Sequence, residues 1–163
     1  FAIGALLSSL LSGPLGRVRR QGFAVTLSIA VYGAFTALFG VVLLVVGIAG
    51  GSGRGGDAIV PALVLAGVAL AGAGAADNVS AVFRTTILQA AAPDEVRGRM
   101  QGLFYVVAAG GPRVGDLVAG FLATLVALWA PALLGGLAII ALMLLMLRVW
   151  RGFQRYDALN PTP

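Results

Sequence analysis

Long apolar stretches, separated by short polar segments, make up most of the chain. Residues 23–50 carry no charged side chain, and residues 58–76 form a second uncharged run. Residues 100–125 form a third, broken only by Arg113 and Asp116, and 131–147 a fourth. A shorter run covers residues 1–12. These runs are too long and too uniformly apolar for sheet strands, so the pattern predicts helices. A membrane-crossing helix needs ~20 apolar residues. The expected spans are about 1–12, 23–48, 58–82, 93–125 and 131–149, the first being the tail of a truncated span. The fold class is an all-α integral membrane protein.

The segments between the runs alternate in character. Segment 13–22, GPLGRVRRQG, holds Arg17, Arg19 and Arg20, and segment 84–99 holds Arg84, Arg97 and Arg99. The tail from Arg148 is also basic, whereas 49–57 balances one arginine with Asp57, and 126–130 is a short turn with the interfacial aromatic Trp129. Because arginine-rich segments stay on the cytoplasmic side, segments 13–22, 84–99 and the tail are expected inside. Segments 49–57 and 126–130 are then outside, and five spans run without contradiction to a cytoplasmic C-terminus.

Composition supports a lipid environment. The chain of 163 residues is 60% hydrophobic and 10% charged, against about a quarter charged in a soluble domain; mean hydropathy is +1.00. The net charge of +5 comes from eleven arginines, with no lysine, against six acids. Such an excess suggests nucleic acid in a soluble protein, but here the arginines lie between apolar runs and report orientation. No nucleic-acid partner is expected. Cysteine and histidine are absent, which removes disulfides, thiol nucleophiles, histidine acid–base chemistry and zinc sites of the usual ligand types. No metal site and no enzymatic activity are expected. The chain begins inside an apolar run with neither initiator Met nor basic leader, and reads as a fragment of something longer.

The 84–99 segment has its own helix signals. Pro93 suits the first helical position, and Asp94 and Glu95 suit its positive end. Glu95 and Arg99 stand four apart, an ion-pair spacing. The fourth helix then runs from near Pro93 to about residue 125, ~48 Å long against a ~30 Å hydrocarbon core.

That helix carries the sequence's sharpest anomaly, GGPRVGDLVAG at 110–120. Arg113 falls near mid-bilayer or somewhat outward, where a lone charge costs ~2.5–3.5 kcal/mol. Asp116, three residues on, can pair with it. Pro112 removes a backbone hydrogen bond, and Gly110 and Gly111 weaken the same turn, which predicts a kink. Gly111, Gly115 and Gly120 allow close approach of another helix. Arg113 and Asp116 either lock helices together or line a solvated path that binds substrate or responds to protons; the coincidence of kink, charges and glycines favours the path. Asp77 and Asn78 end the 58–76 run and read either as a helix end near the headgroups or as an inward-facing gate or proton-responsive site. Arg84, on nearly the same face as Asp77, can snorkel or pair with the acids of the loop. GAGAAD at 72–77 has no strand before it and is no dinucleotide fingerprint. Ser8 and Ser9 have no base nearby, and Met143 and Met146 read as core or lipid-facing side chains.

Residues 77–120, DNVSAVFRTTILQAAAPDEVRGRMQGLFYVVAAGGPRVGDLVAG, resemble the enterobactin-exporter-like branch of the major facilitator superfamily, with PDEVRGR and GGPRVGD the specific part. SGPLGRVRRQG at 12–22 resembles the loop between the second and third helices of that superfamily's C-terminal half. The resemblance implies the last five transmembrane helices of a twelve-helix transporter of the bacterial inner membrane. It implies a proton-driven exporter that rocks between inward and outward states and expels a siderophore, or in relatives a macrolide-like drug, with no cofactor. Its partners would be the cargo, the bilayer and the missing N-terminal half. In the superfamily's loop signature an aspartate precedes the arginine; Gly16 stands there, so the usual gate bond lacks its acid, and Asp94 and Glu95 become substitute partners for Arg17, Arg19 and Arg20. Arg84, Arg97 and Arg99 complete the expected cytoplasmic gate, with Arg113, Asp116, Asp77 and Asn78 as substrate or coupling residues. A non-transporting membrane scaffold or sensor is the reading from a different class.

Overall fold

The computed structural model describes residues 1–10, 13, 21–51 and 55–149. They form five helices: α1 (Ala2–Leu10), α2 (Gln21–Gly51), α3 (Gly55–Ala91), α4 (Asp94–Leu125) and α5 (Trp129–Val149). Among the described residues there is no strand. Four helices are long and apolar enough to cross a membrane: Gln21–Ile48, Ile59–Ala90, Asp94–Leu125 and Trp129–Val149. The all-α membrane architecture expected from the apolar runs is the one observed.

Helices α2, α3 and α5 extend beyond the expected spans. α3 does not stop near residue 82 but continues through RTTILQAA to Ala91. At 37 residues it is ~55 Å long, well beyond the hydrocarbon core. Hydropathy marks where a helix is apolar, whereas backbone hydrogen bonding carries it on through polar positions. Pro61 lies within the second turn of α3. Pro93 is the residue before α4 and not its first helical position, with φ −57° and ψ 148°. Its extended backbone is the stop between two helices, and Asp94 and Glu95 then occupy the first turn as expected. α4 continues without interruption through Pro112 to Leu125.

Packing depends on small residues. Lipid tails are as apolar as leucine, so helices associate in a bilayer where their backbones can come close. On α2, Gly33, Ala37 and Gly40 face α5. A methyl group at Gly40 would meet the Leu133 backbone, 2.6 Å from its Cα, and one at Gly136 would meet Ala37 and the Gly33 carbonyl oxygen. Phe35 lies against Gly72 of α3, and α1 crosses α3 where Gly4 meets the Ala71 backbone and Gly74 meets Phe1. Helix α2 therefore packs on both α3 and α5, and α1 packs on α3, whereas α4 touches α5 and α3 only lightly.

Replacing Gly40 by valine should force α2 and α5 apart and destabilise the fold by about 1–3 kcal/mol. Gly102→Ala on α4, where a methyl group meets nothing within 4 Å, should be neutral or stabilise by up to ~1 kcal/mol. Unfolding of purified protein with increasing SDS, followed by circular dichroism, compares the two.

Candidate functional site

Two sets of polar side chains interrupt the apolar helices, and the fold treats them differently. The first lies on α3 where α1 crosses it. Asp77 and Asn78 are not at a helix end; thirteen residues of α3 follow Asn78 up to Ala91, ~20 Å of helix. The two side chains point about 100° apart around the helix axis, as neighbours in a helix must, and so serve different purposes.

Asn78 faces α1. Its Nδ2 donates to Ser8 Oγ at 2.9 Å and to Ser9 Oγ at 3.1 Å. Both hydroxyls in turn donate to the Ala5 carbonyl at 2.9 Å, which orients their oxygens as acceptors for the amide. The serine pair has no catalytic base, as the sequence indicated, but it does have a structural partner. That partner sits seventy positions away and is brought there by the glycine-mediated crossing below it.

Asp77 faces the other way and pairs with Arg84 at 3.5 Å. Arg84 thus takes its acid from its own helix and not from the loop, where Asp94 is engaged by Arg97 at 2.7 Å. The Arg84 Nε also donates to the Ser80 carbonyl at 3.4 Å. Ser80 is fully buried, and its hydroxyl has no hydrogen-bond partner among the described residues. Gln21 Oε1, at the start of α2, is likewise buried without one. An unmet buried polar group costs ~1–3 kcal/mol, so Ser80 is a weak point beside the ion pair.

The second set is on α4, where no residue is buried. Arg113 and Asp116 are both exposed, and no ion pair joins them. The helical spacing brings them to one face, but the structure does not close the pair. Gly110, Gly111, Gly115 and Gly120 have nothing within 4 Å of an added methyl group, so the helix they were expected to admit is not one of the five described.

At the expected cytoplasmic end, Arg97 also donates to the Ala92 carbonyl at 3.3 Å. Glu95 and Arg99 form no ion pair; the pair that closes in this turn is Arg97 with Asp94, three residues apart. Arg17, Arg19 and Arg20 lie outside the described residues, so the gate they were assigned to is not on view. Among the described residues no group of three or more acids forms a metal site.

Long apolar helices with charged groups set into them define a multi-pass membrane protein. No family model and no solved structure matches the chain. Among curated proteins it is 27% identical over 159 residues to the enterobactin exporter EntS of Salmonella paratyphi A, a match that covers 98% of this chain and 34% of that protein. The chain therefore spans about a third of the length of that relative.

The Asn78 clasp is testable by a double-mutant cycle. Asn78→Ala and the Ser8→Ala, Ser9→Ala double variant, alone and combined, should show a coupling of about 0.6 kcal/mol, and at most ~1.7 kcal/mol, in SDS unfolding, the average and upper limit for interhelical hydrogen bonds in membranes. Additive effects would show that the hydrogen bonds contribute nothing.

Proposed function

We propose that the chain is the C-terminal part of a secondary exporter of the major facilitator superfamily. The protein works in the bacterial inner membrane, exports a siderophore or similar small molecule, and takes its energy from the proton gradient. The observation that carries this reading is the end-to-end likeness to an exporter in a chain whose membrane-length helices hold charged residues away from their ends. Charges inside such helices are expensive, and they mark substrate or ion paths in transporters.

In this reading the five helices are the last five of twelve, and the C-terminus is cytoplasmic. Arg113 and Asp116 on the open face of α4 look onto a path shared with helices outside this chain, since transporters built from repeats place their sites at the repeat interface. Asp77 is the coupling carboxylate, and Arg84 with Asp94, Glu95, Arg97 and Arg99 at the start of α4 forms the inner gate together with Arg17, Arg19 and Arg20. A drug-type cargo is the alternative within the same class.

Deleting the gene in iron-starved cells and comparing medium with cytoplasm by mass spectrometry should show a siderophore lost outside and retained inside. Complementation with Arg113→Ala should leave export at background with normal membrane expression. Full export by that variant would remove Arg113 from the path, and unchanged metabolites on deletion would remove the siderophore.

A further inference from the structure

The Asp77–Arg84 ion pair joins no two elements. Both residues lie on α3, seven positions and so ~10 Å of helix rise apart. Their contact therefore adds nothing to helix–helix packing, unlike the Asn78 clasp beside it. Arg84 covers the distance because long side chains on a helix lean toward its N-terminus. It stops at 3.5 Å from one carboxylate oxygen, well outside the roughly 2.7–2.9 Å of a tight charged hydrogen bond.

The surroundings leave this pair free to exchange partners. The Arg84 and Asp77 side chains are 39% and 49% exposed. Helix α1 carries no charged side chain and Tyr32 is the one titratable side chain on α2, so neither offers a competing acid or cation; α4, which touches α3 only lightly, has its Asp94 engaged by Arg97. The Ser80 carbonyl holds the guanidinium through Nε and leaves its two terminal nitrogens for a planar acceptor. A guanidinium recognises carboxylate-like groups through two parallel hydrogen bonds, and Asp77 supplies only one oxygen.

We propose that Arg84 is an anion-binding residue and Asp77 its internal stand-in: a carboxylate-like group of a cargo takes the guanidinium and displaces the Asp77 carboxylate. The identity of that cargo rests on the exporter reading above, but the existence of the site does not. Arg84 thereby moves from the gate to a ligand site, next to a helix crossing held by Ser8, Ser9 and Asn78.

The test is equilibrium binding of benzoate, a planar carboxylate, to the intact purified protein by titration calorimetry, with folding of each variant checked by elution profile and helicity. Arg84→Gln should weaken binding at least tenfold. Asp77→Asn should tighten it several-fold, because the competing carboxylate is gone. A pair that serves only to neutralise charge in the apolar span predicts no tightening. Unchanged affinity in Arg84→Gln, weaker or equal binding in Asp77→Asn, or no binding by the parent protein would each overturn the proposal. Should Arg84→Gln fail to fold, Arg84→Lys keeps the charge without the fork and should bind several-fold more weakly; parent-like affinity there overturns it as well. Binding in this pattern without siderophore export in cells would remove the siderophore as cargo and leave the site standing. Export that survives Arg84→Gln together with unchanged binding would do the reverse.

Discussion

The close approach of α2 to its neighbours holds the described structure together. In water, helices are driven together by burial of apolar surface; in lipid that drive is gone, and contact distance takes its place. Gly33, Ala37 and Gly40 let α2 lie against Gly136 and Leu133 of α5. The opposite contact, Phe35 on Gly72, brings in α3, which carries α1 on its own glycine crossing. The order of contact is therefore α1, α3, α2, α5. Every polar group that the structure holds in a defined relation to another helix depends on that chain of contacts, and the Asn78 bonds to Ser8 and Ser9 are the clearest case.

Helix α4 stands outside this arrangement, which gives its charges a different physical status. The cost of a charge near mid-bilayer is ~2.5–3.5 kcal/mol. On α3 that cost is offset within the helix, by the Asp77–Arg84 contact. On α4 neither pairing nor burial offsets it, since Arg113 and Asp116 are both open and unpaired among the described residues. A membrane-crossing helix in that condition needs polar surroundings on its charged face, either water or another protein segment. The adjacent glycines leave room for either.

The helices were legible in the sequence because long apolar runs leave little choice of structure. Their ends were less so: α3 passes through Arg84, Thr85, Thr86 and Gln89, which look like loop by hydropathy yet keep the helical hydrogen-bond ladder. The site was legible only in part. Asp77, Asn78, Arg113 and Asp116 could be singled out as polar residues in apolar runs. Which of them pair could not, because pairing depends on reach and competition. Asp77 and Arg84 are seven apart, a spacing too long for the usual intrahelical pair, and only an arginine extended toward the helix N-terminus closes it. Arg113 and Asp116 have the favourable spacing and stay apart. Ser8 and Ser9 were passed over because no base accompanies them; what they needed was a donor from a distant helix, and only the crossing geometry supplies one.

The two polar arrangements on α3 also differ in what can disturb them. The Asn78 clasp spans two helices, so any sliding of α1 along α3 must break its hydrogen bonds, and the backbone-tight crossing at Gly4 and Gly74 resists that sliding from below. Helices α1 and α3 therefore move together or not at all. The Asp77–Arg84 contact lies within one helix and is indifferent to how α3 moves against α2 or α4. Something that binds one of its two charges can open it without moving a helix. A rigid helix pair carrying an ion pair that answers to ligands and not to packing separates recognition from motion. In a bilayer that separation matters, because a charge that lost its partner whenever helices shifted would incur the full desolvation cost each time.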